Sequence, residues 1–129
     1  MGNGTELGRV RGLGSAHSGA HHWWQERISG ALAIVPVVFL LASLLLLPDL
    51  SYSTVREWAG QPLPALALAA LVLTSLWHNR LGLRVFIEDY AHVRSNRIAI
   101  LLLLDIATYA AGLYALYCLV RIALSTGAA

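Results

Sequence analysis

Residues 74–93 read TSLWHNRLGLRVFIEDYAHV. The stretch leaves an apolar run, ALALAALVLTSLW over residues 65–77, and places His78, Asn79, Arg80 and Arg84 before it reaches Glu88, Asp89 and Tyr90. In a bilayer each ionisable group near the centre of a helix costs about 2.5–3.5 kcal/mol on insertion scales, so it marks a functional site or a pairing. The medium around this stretch therefore decides how it is read.

Composition decides the medium. Of 129 residues, 57% are hydrophobic, and the mean hydropathy is +0.64. That is too apolar for a soluble domain of this length and puts the chain in the membrane class. Cys118 is the only cysteine. The chain alone can build no disulfide, no iron–sulfur cluster and no cysteine-based zinc site. All nine basic residues are arginine and the net charge is +2. No basic stripe is interleaved with aromatics, so no nucleic-acid partner is expected. No positive n-region is followed directly by a short apolar core, so no removable signal peptide is expected.

Apolar runs of about 20 residues can cross a bilayer core. Three occur: Ile28 to Leu47, closed by Pro48; Leu63 to Ile87, entered through QPLP; and Ile98 to Leu124. Backbone groups in lipid must be satisfied within their own segment, which makes each run a helix and the fold all-α with three transmembrane helices. Pro36 lies inside the first and is expected to kink it. There is no internal repeat. The remainder reads as an N-terminal arm over 1–27, a three-helix anchor over 28–124 and a short tail over 125–129. Arg9, Arg11 and Arg27 precede the first span, and Arg80, Arg84, Arg94 and Arg97 surround the second connection. Only Arg56 and Arg121 fall on the other side. The positive-inside rule then predicts a cytoplasmic N-terminus and an outside C-terminus. Trp23, Trp24, Trp58 and Tyr90 stand near span ends, as an aromatic belt would place them.

Residues 1–22 are glycine-rich with no preceding strand, which favours a flexible or partner-ordered arm over a dinucleotide loop. Asn3-Gly4-Thr5 matches a glycosylation sequon, accidental if the terminus is cytoplasmic. His78 lies nine residues before Ile87, about 13 Å from that end of its span. A neutral imidazole there suits an axial position on haem iron, or it serves as hydrogen-bonding glue between helices. Gly82, one turn on, leaves room on the same face for a flat macrocycle. Asp89, eleven residues after His78, returns to the same stripe. Tyr90 beside it is either a hydrogen-bond donor to a lipid-soluble carbonyl compound or an ordinary interfacial tyrosine. His21 and His22 are adjacent and share no helix face, and no His-x-x-x-His pair falls in a span, so zinc is not expected. Arg80 is seven residues before Ile87 and Asp105 seven after Ile98. Both lie about 10 Å from the same side of antiparallel helices, and they are expected to pair.

His78-x-x-x-Gly82, followed by Asp89-Tyr90, in a three-span chain resembles the smaller haem-bearing membrane anchor of succinate dehydrogenase, the type lettered D. The segment LGRVRGLGSAHSGAHHWWQERISG also resembles bacterial members, and the likeness runs from about Leu7 to His92. The third span resembles the family in hydrophobicity and position only. Arg27-Ile28-Ser29-Gly30 and His78-x-x-x-Gly82-Leu83-Arg84 also resemble the C-type sister anchor, but Val85-Phe86 follows where that type has His-Leu, and Asp89-Tyr90 closes the motif in the D manner. The resemblance implies that His78 is one axial ligand of a b-type haem shared with the sister anchor. It implies that Tyr90 hydrogen-bonds a ubiquinone carbonyl, that Asp89 supports that site, and that Arg27 approaches a haem propionate. His17, His21 and His22 are further candidates for the propionates. The implied partners are the sister anchor, an iron–sulfur subunit, a flavoprotein subunit and membrane lipid. The implied location is a bacterial inner membrane. The chain would anchor the complex without touching succinate. Two other readings are an anchor of a quinol:fumarate reductase and a small three-helix assembly protein with no redox centre.

A reporter fused after Ala129 should be active only on the non-cytoplasmic side of the membrane; activity confined to the cytoplasm would break the three-span reading.

Overall fold

The computed structural model describes residues 19–126. Four helices follow one another: α1 over Gly19–Leu45, α2 over Tyr52–Gly60, α3 over Pro62–Tyr90 and α4 over Arg94–Thr126. No strand occurs among the described residues. α1, α3 and α4 are long and apolar enough to span a membrane. At 27, 29 and 33 residues they run to about 40–50 Å, longer than a hydrocarbon core of about 30 Å. Their polar ends therefore project beyond it. α1 starts nine residues before the predicted span, so the part of the expected arm from Gly19 onward is helical. The rest of the arm lies outside the described residues.

Local chemistry sets the ends. α1 continues through the buried Pro36 and tightens at its close, where Leu46 and Leu47 donate to the carbonyls of Ser43 and Leu44, three residues back. Pro48 then prevents further helix. The backbone N–H of Ser51 donates to the Asp49 carboxylate at 2.8 Å. The Ser51 side chain, that N–H and the Thr54 side chain together hold the Asp49 pKa below the usual carboxylate range. Ser51 is also the N-cap of α2, accepting from the Thr54 N–H at 3.4 Å. The sequence reading assigns no helix here, yet Val55, Trp58 and Ala59 recur at helical spacing and give α2 one apolar face. Pro62 occupies the first position of α3, where its missing N–H is not needed.

The core is small. Leu40, Trp58 and Ala59 are buried together, with Leu44, Leu47, Val55, Leu68, Leu71 and Ile122 packed around them. Trp58 is thus a core residue and not part of an interfacial belt. Its Nε1–H has no partner among the described residues. Trp23 and Trp24 are exposed and meet edge to face at 5.4 Å. Most leucine, valine and isoleucine side chains of the long helices are exposed, which in water would be untenable and in lipid costs nothing.

α3 is the central helix, with α1 on one side and α4 on the other. Against α4 the contact is close because Gly112 has no side chain: a Cβ there would come 3.3 Å from Leu76 Cδ1. One helical turn further along α3, Arg80 Nε donates to Asp105 Oδ1 at 2.7 Å, and its guanidinium lies 5.8 Å from the Tyr109 ring centroid. The predicted pair is present. Arg80→Ala and Asp105→Ala should each lower the yield of assembled complex by leaving the other charge alone in lipid, and the double variant should lose less than the sum. Strictly additive losses in a quantitative membrane-extract assay would show the two residues to be independent.

Candidate functional site

The seam between α1 and α3 has two sides, and each holds a cavity. On one side Glu26, Arg27, Gly30, Ala31 and Ile34 of α1 face His78 of α3 around a cavity of about 530 Å³. On the other, His21, His22 and Gln25 face Trp77, Arg80, Leu81, Arg84 and Glu88 around about 270 Å³. The split follows from helical spacing. Positions 77, 80, 84 and 88 form one stripe of α3, while 78, 82 and 89 form another roughly 135° away.

His78 is half-buried. Its Nδ1 lies 3.1 Å from Ser29 Oγ, and Ser29 is fully buried and donates to the Glu26 carbonyl at 3.0 Å. A Cβ on Gly30 would stand 3.4 Å from His78 Cε1, so the imidazole rests against the α1 backbone at a residue without a side chain. Around Gly82 a Cβ would meet nothing within 4 Å. The open space expected beside Gly82 is present, and the glycine that seats the ring is Gly30. Sequence reasoning gave Ser29 and Gly30 no role. The signal they carried was the Arg27-Ile28-Ser29-Gly30 stretch at the entry to the first span.

Of the other described candidate residues, Arg27 shares the cavity of His78, while Asp89, Tyr90, His21 and His22 do not. Arg27 is exposed, its guanidinium 5.5 Å from the Trp23 ring centroid, on the rim of the larger cavity. Asp89 is exposed on the His78 stripe, three turns along. Tyr90 is 69% exposed and stacks on Phe86 at 4.5 Å. It lies about 18 Å along the helix from His78 and about 120° round it. Tyr90 and Asp89 thus sit exposed at the end of α3 among the described residues. Arg84 donates to Glu88 at 3.1 Å, an exposed pair one turn apart that adds little stability. His92 Nδ1 bonds the Tyr90 carbonyl at 2.8 Å, closing the turn after α3. His22 Nε2 is buried in the smaller cavity with no partner among the described residues. His17 lies outside the described residues.

Three helices long and apolar enough to span a membrane, with a histidine held by one nitrogen between two of them, define a multi-pass membrane subunit. A family model for the succinate dehydrogenase/fumarate reductase transmembrane subunit matches residues 1–114, and the chain belongs to that family. It is 34% identical over 117 residues to the succinate dehydrogenase hydrophobic membrane anchor subunit of Rickettsia conorii, covering 88% of this chain and 93% of that one. It is 33% identical over 110 residues to the subunit of the same name from Paracoccus denitrificans, covering 83% and 84%. With these relatives and three spanning helices, the chain is a multi-pass inner-membrane protein whose role is that of an anchor subunit within an enzyme complex.

Proposed function

We propose that this chain is the D-type anchor of a succinate:quinone oxidoreductase, in which His78 ligates a b-type haem and Tyr90 with Asp89 forms part of a ubiquinone site. The observation that carries this reading is His78 itself. Its ring is tethered at Nδ1 on a buried serine and borders a cavity of about 530 Å³ that Arg27 overlooks. The donor set fits a haem. A neutral imidazole is a suitable axial ligand, and the guanidinium on the rim suits an acidic propionate. The sister anchor would supply the second axial histidine. When bound, the haem supplies a one-electron centre inside the membrane.

The chain's own residues do the rest. Tyr90 donates a hydrogen bond from its phenol to a quinone carbonyl, and Asp89 beside it supports the same end of the site. The exposure of both supports a site that other subunits complete. Electrons come from iron–sulfur clusters of a partner, since a single cysteine can hold none here, and a flavoprotein partner oxidises succinate. The arginine distribution supports a cytoplasmic N-terminus and a cytoplasmic quinone end of α3.

His78→Leu should insert normally, because the span stays apolar, and the haem of the purified complex should be lost or become five-coordinate in its visible spectrum. His22→Leu should keep the six-coordinate low-spin spectrum. An unchanged low-spin spectrum in the His78 variant would leave helix packing as the role of that residue. Tyr90→Phe should slow quinone reduction with haem content intact, while succinate oxidation by a water-soluble dye continues. If both assays fall together, Tyr90 acts on assembly.

A further inference from the structure

The hydroxyl of Ser29 carries one proton, and two groups lie within its reach: the Glu26 carbonyl at 3.0 Å and His78 Nδ1 at 3.1 Å. The carbonyl can only accept. If the hydroxyl gives its proton to the carbonyl, its oxygen is free to accept from Nδ1–H, and both hydrogen bonds form. If instead it donates to a bare Nδ1, the bond to the carbonyl is lost. At a fully buried side chain the arrangement with both bonds is the favoured one. A serine turned back onto its own helix holds that rotamer locally, so the acceptor lone pair is aimed before His78 arrives.

The tautomer follows from this count. With the proton on Nδ1, Nε2 carries the lone pair. The contact with Gly30 adds the direction. Nδ1 and Cε1, adjacent in the ring, are the atoms held against Ser29 and Gly30. Nε2 and Cδ2 form the opposite edge. No donor among the described residues lies within hydrogen-bond distance of Nε2. An unbonded lone pair directed away from its own seat is what a Lewis acid requires.

We propose that Ser29 is the positioning residue of this site: its hydroxyl accepts from His78 Nδ1–H and fixes the ring in the tautomer and orientation whose Nε2 is free for iron. The proposal rests on the reading of His78 as a haem ligand. Partners of this kind typically change metal retention by about 10- to 100-fold when removed. A hydrogen bond at Nδ1–H also makes the imidazole a better electron donor, which favours ferric iron.

The test uses the purified, assembled complex. Ser29→Ala should weaken haem retention by about 10- to 100-fold in a haem-transfer assay and move the haem midpoint potential to more positive values. Ser29→Cys, with a poorer acceptor of similar size, should shift the potential the same way by less. Ser29→Thr keeps the hydroxyl and should stay at the wild-type potential. Where the alanine variant does not assemble, the cysteine and threonine variants decide. A wild-type potential and retention in Ser29→Ala, or in Ser29→Cys where that variant decides, overturns the role of Ser29, provided His78→Leu does lose the low-spin spectrum. A shift in Ser29→Thr equal to that in Ser29→Ala overturns it as well, since volume and not the hydroxyl would then control the site. A low-spin spectrum that survives His78→Leu removes the ligand reading itself and is distinguished from these outcomes by that variant alone.

Discussion

A polar side chain surrounded by hydrocarbon has to find its partner inside the protein, and α3 meets that requirement on both sides. Toward α1, His78 meets Ser29; toward α4, Arg80 meets Asp105. Apolar contacts alone cannot set how far one such helix slides past another, because lipid tails are as good a neighbour as leucine. A hydrogen bond or an ion pair has one register. The two ties are only two residues apart on α3, so they fix both neighbours at nearly one depth. Gly112 lets α4 come close enough for the ion pair to form, and Gly30 does the same for α1 and the imidazole.

The buried apolar cluster lies at the other end. There α2 lies across the bundle and supplies Trp58 and Ala59 to the cluster around Leu40. Arg56 of α2 also donates to Ser125 of α4 at 3.1 Å. Among the described residues, the end that carries His22, Arg27, Asp89 and Tyr90 has no such cap. Among the described residues, its functional candidates line cavities or stand at an exposed helix end. On the proposed reading, in which neighbouring subunits complete the haem and quinone sites, this division leaves that end for contact.

Much of this was legible in the sequence because lipid makes composition informative. Run length identified the three spanning helices, because each run stays predominantly apolar over the length needed to cross, despite the polar residues in α3 and α4. The Arg80–Asp105 pair followed from counting residues to the span ends, because two opposite charges at one depth in antiparallel neighbours leave each other as the nearest counter-ion. His78 stood out for the same reason, as did the motif that links it to Asp89 and Tyr90. The family assignment agrees with that motif.

What the sequence could not decide is what depends on rotation about the helix axes. Ser29 and Gly30 are small and uncharged and stood out only within the Arg27-Ile28-Ser29-Gly30 stretch, and only the packing of α1 on α3 turns them toward His78. Trp58 reads as interfacial by position, yet α2 folds it inward, because a nine-residue amphipathic helix buries its one apolar face wherever the bundle offers a surface. Which side of α3 each arginine faces follows from spacing, but which neighbour it meets there does not. The sequence by itself determined the medium, the number of helices and their polar outliers, since these are costs counted along the chain; the tertiary structure decided which outlier meets which, since a hydrogen bond depends on distances across helices that no spacing along one helix contains.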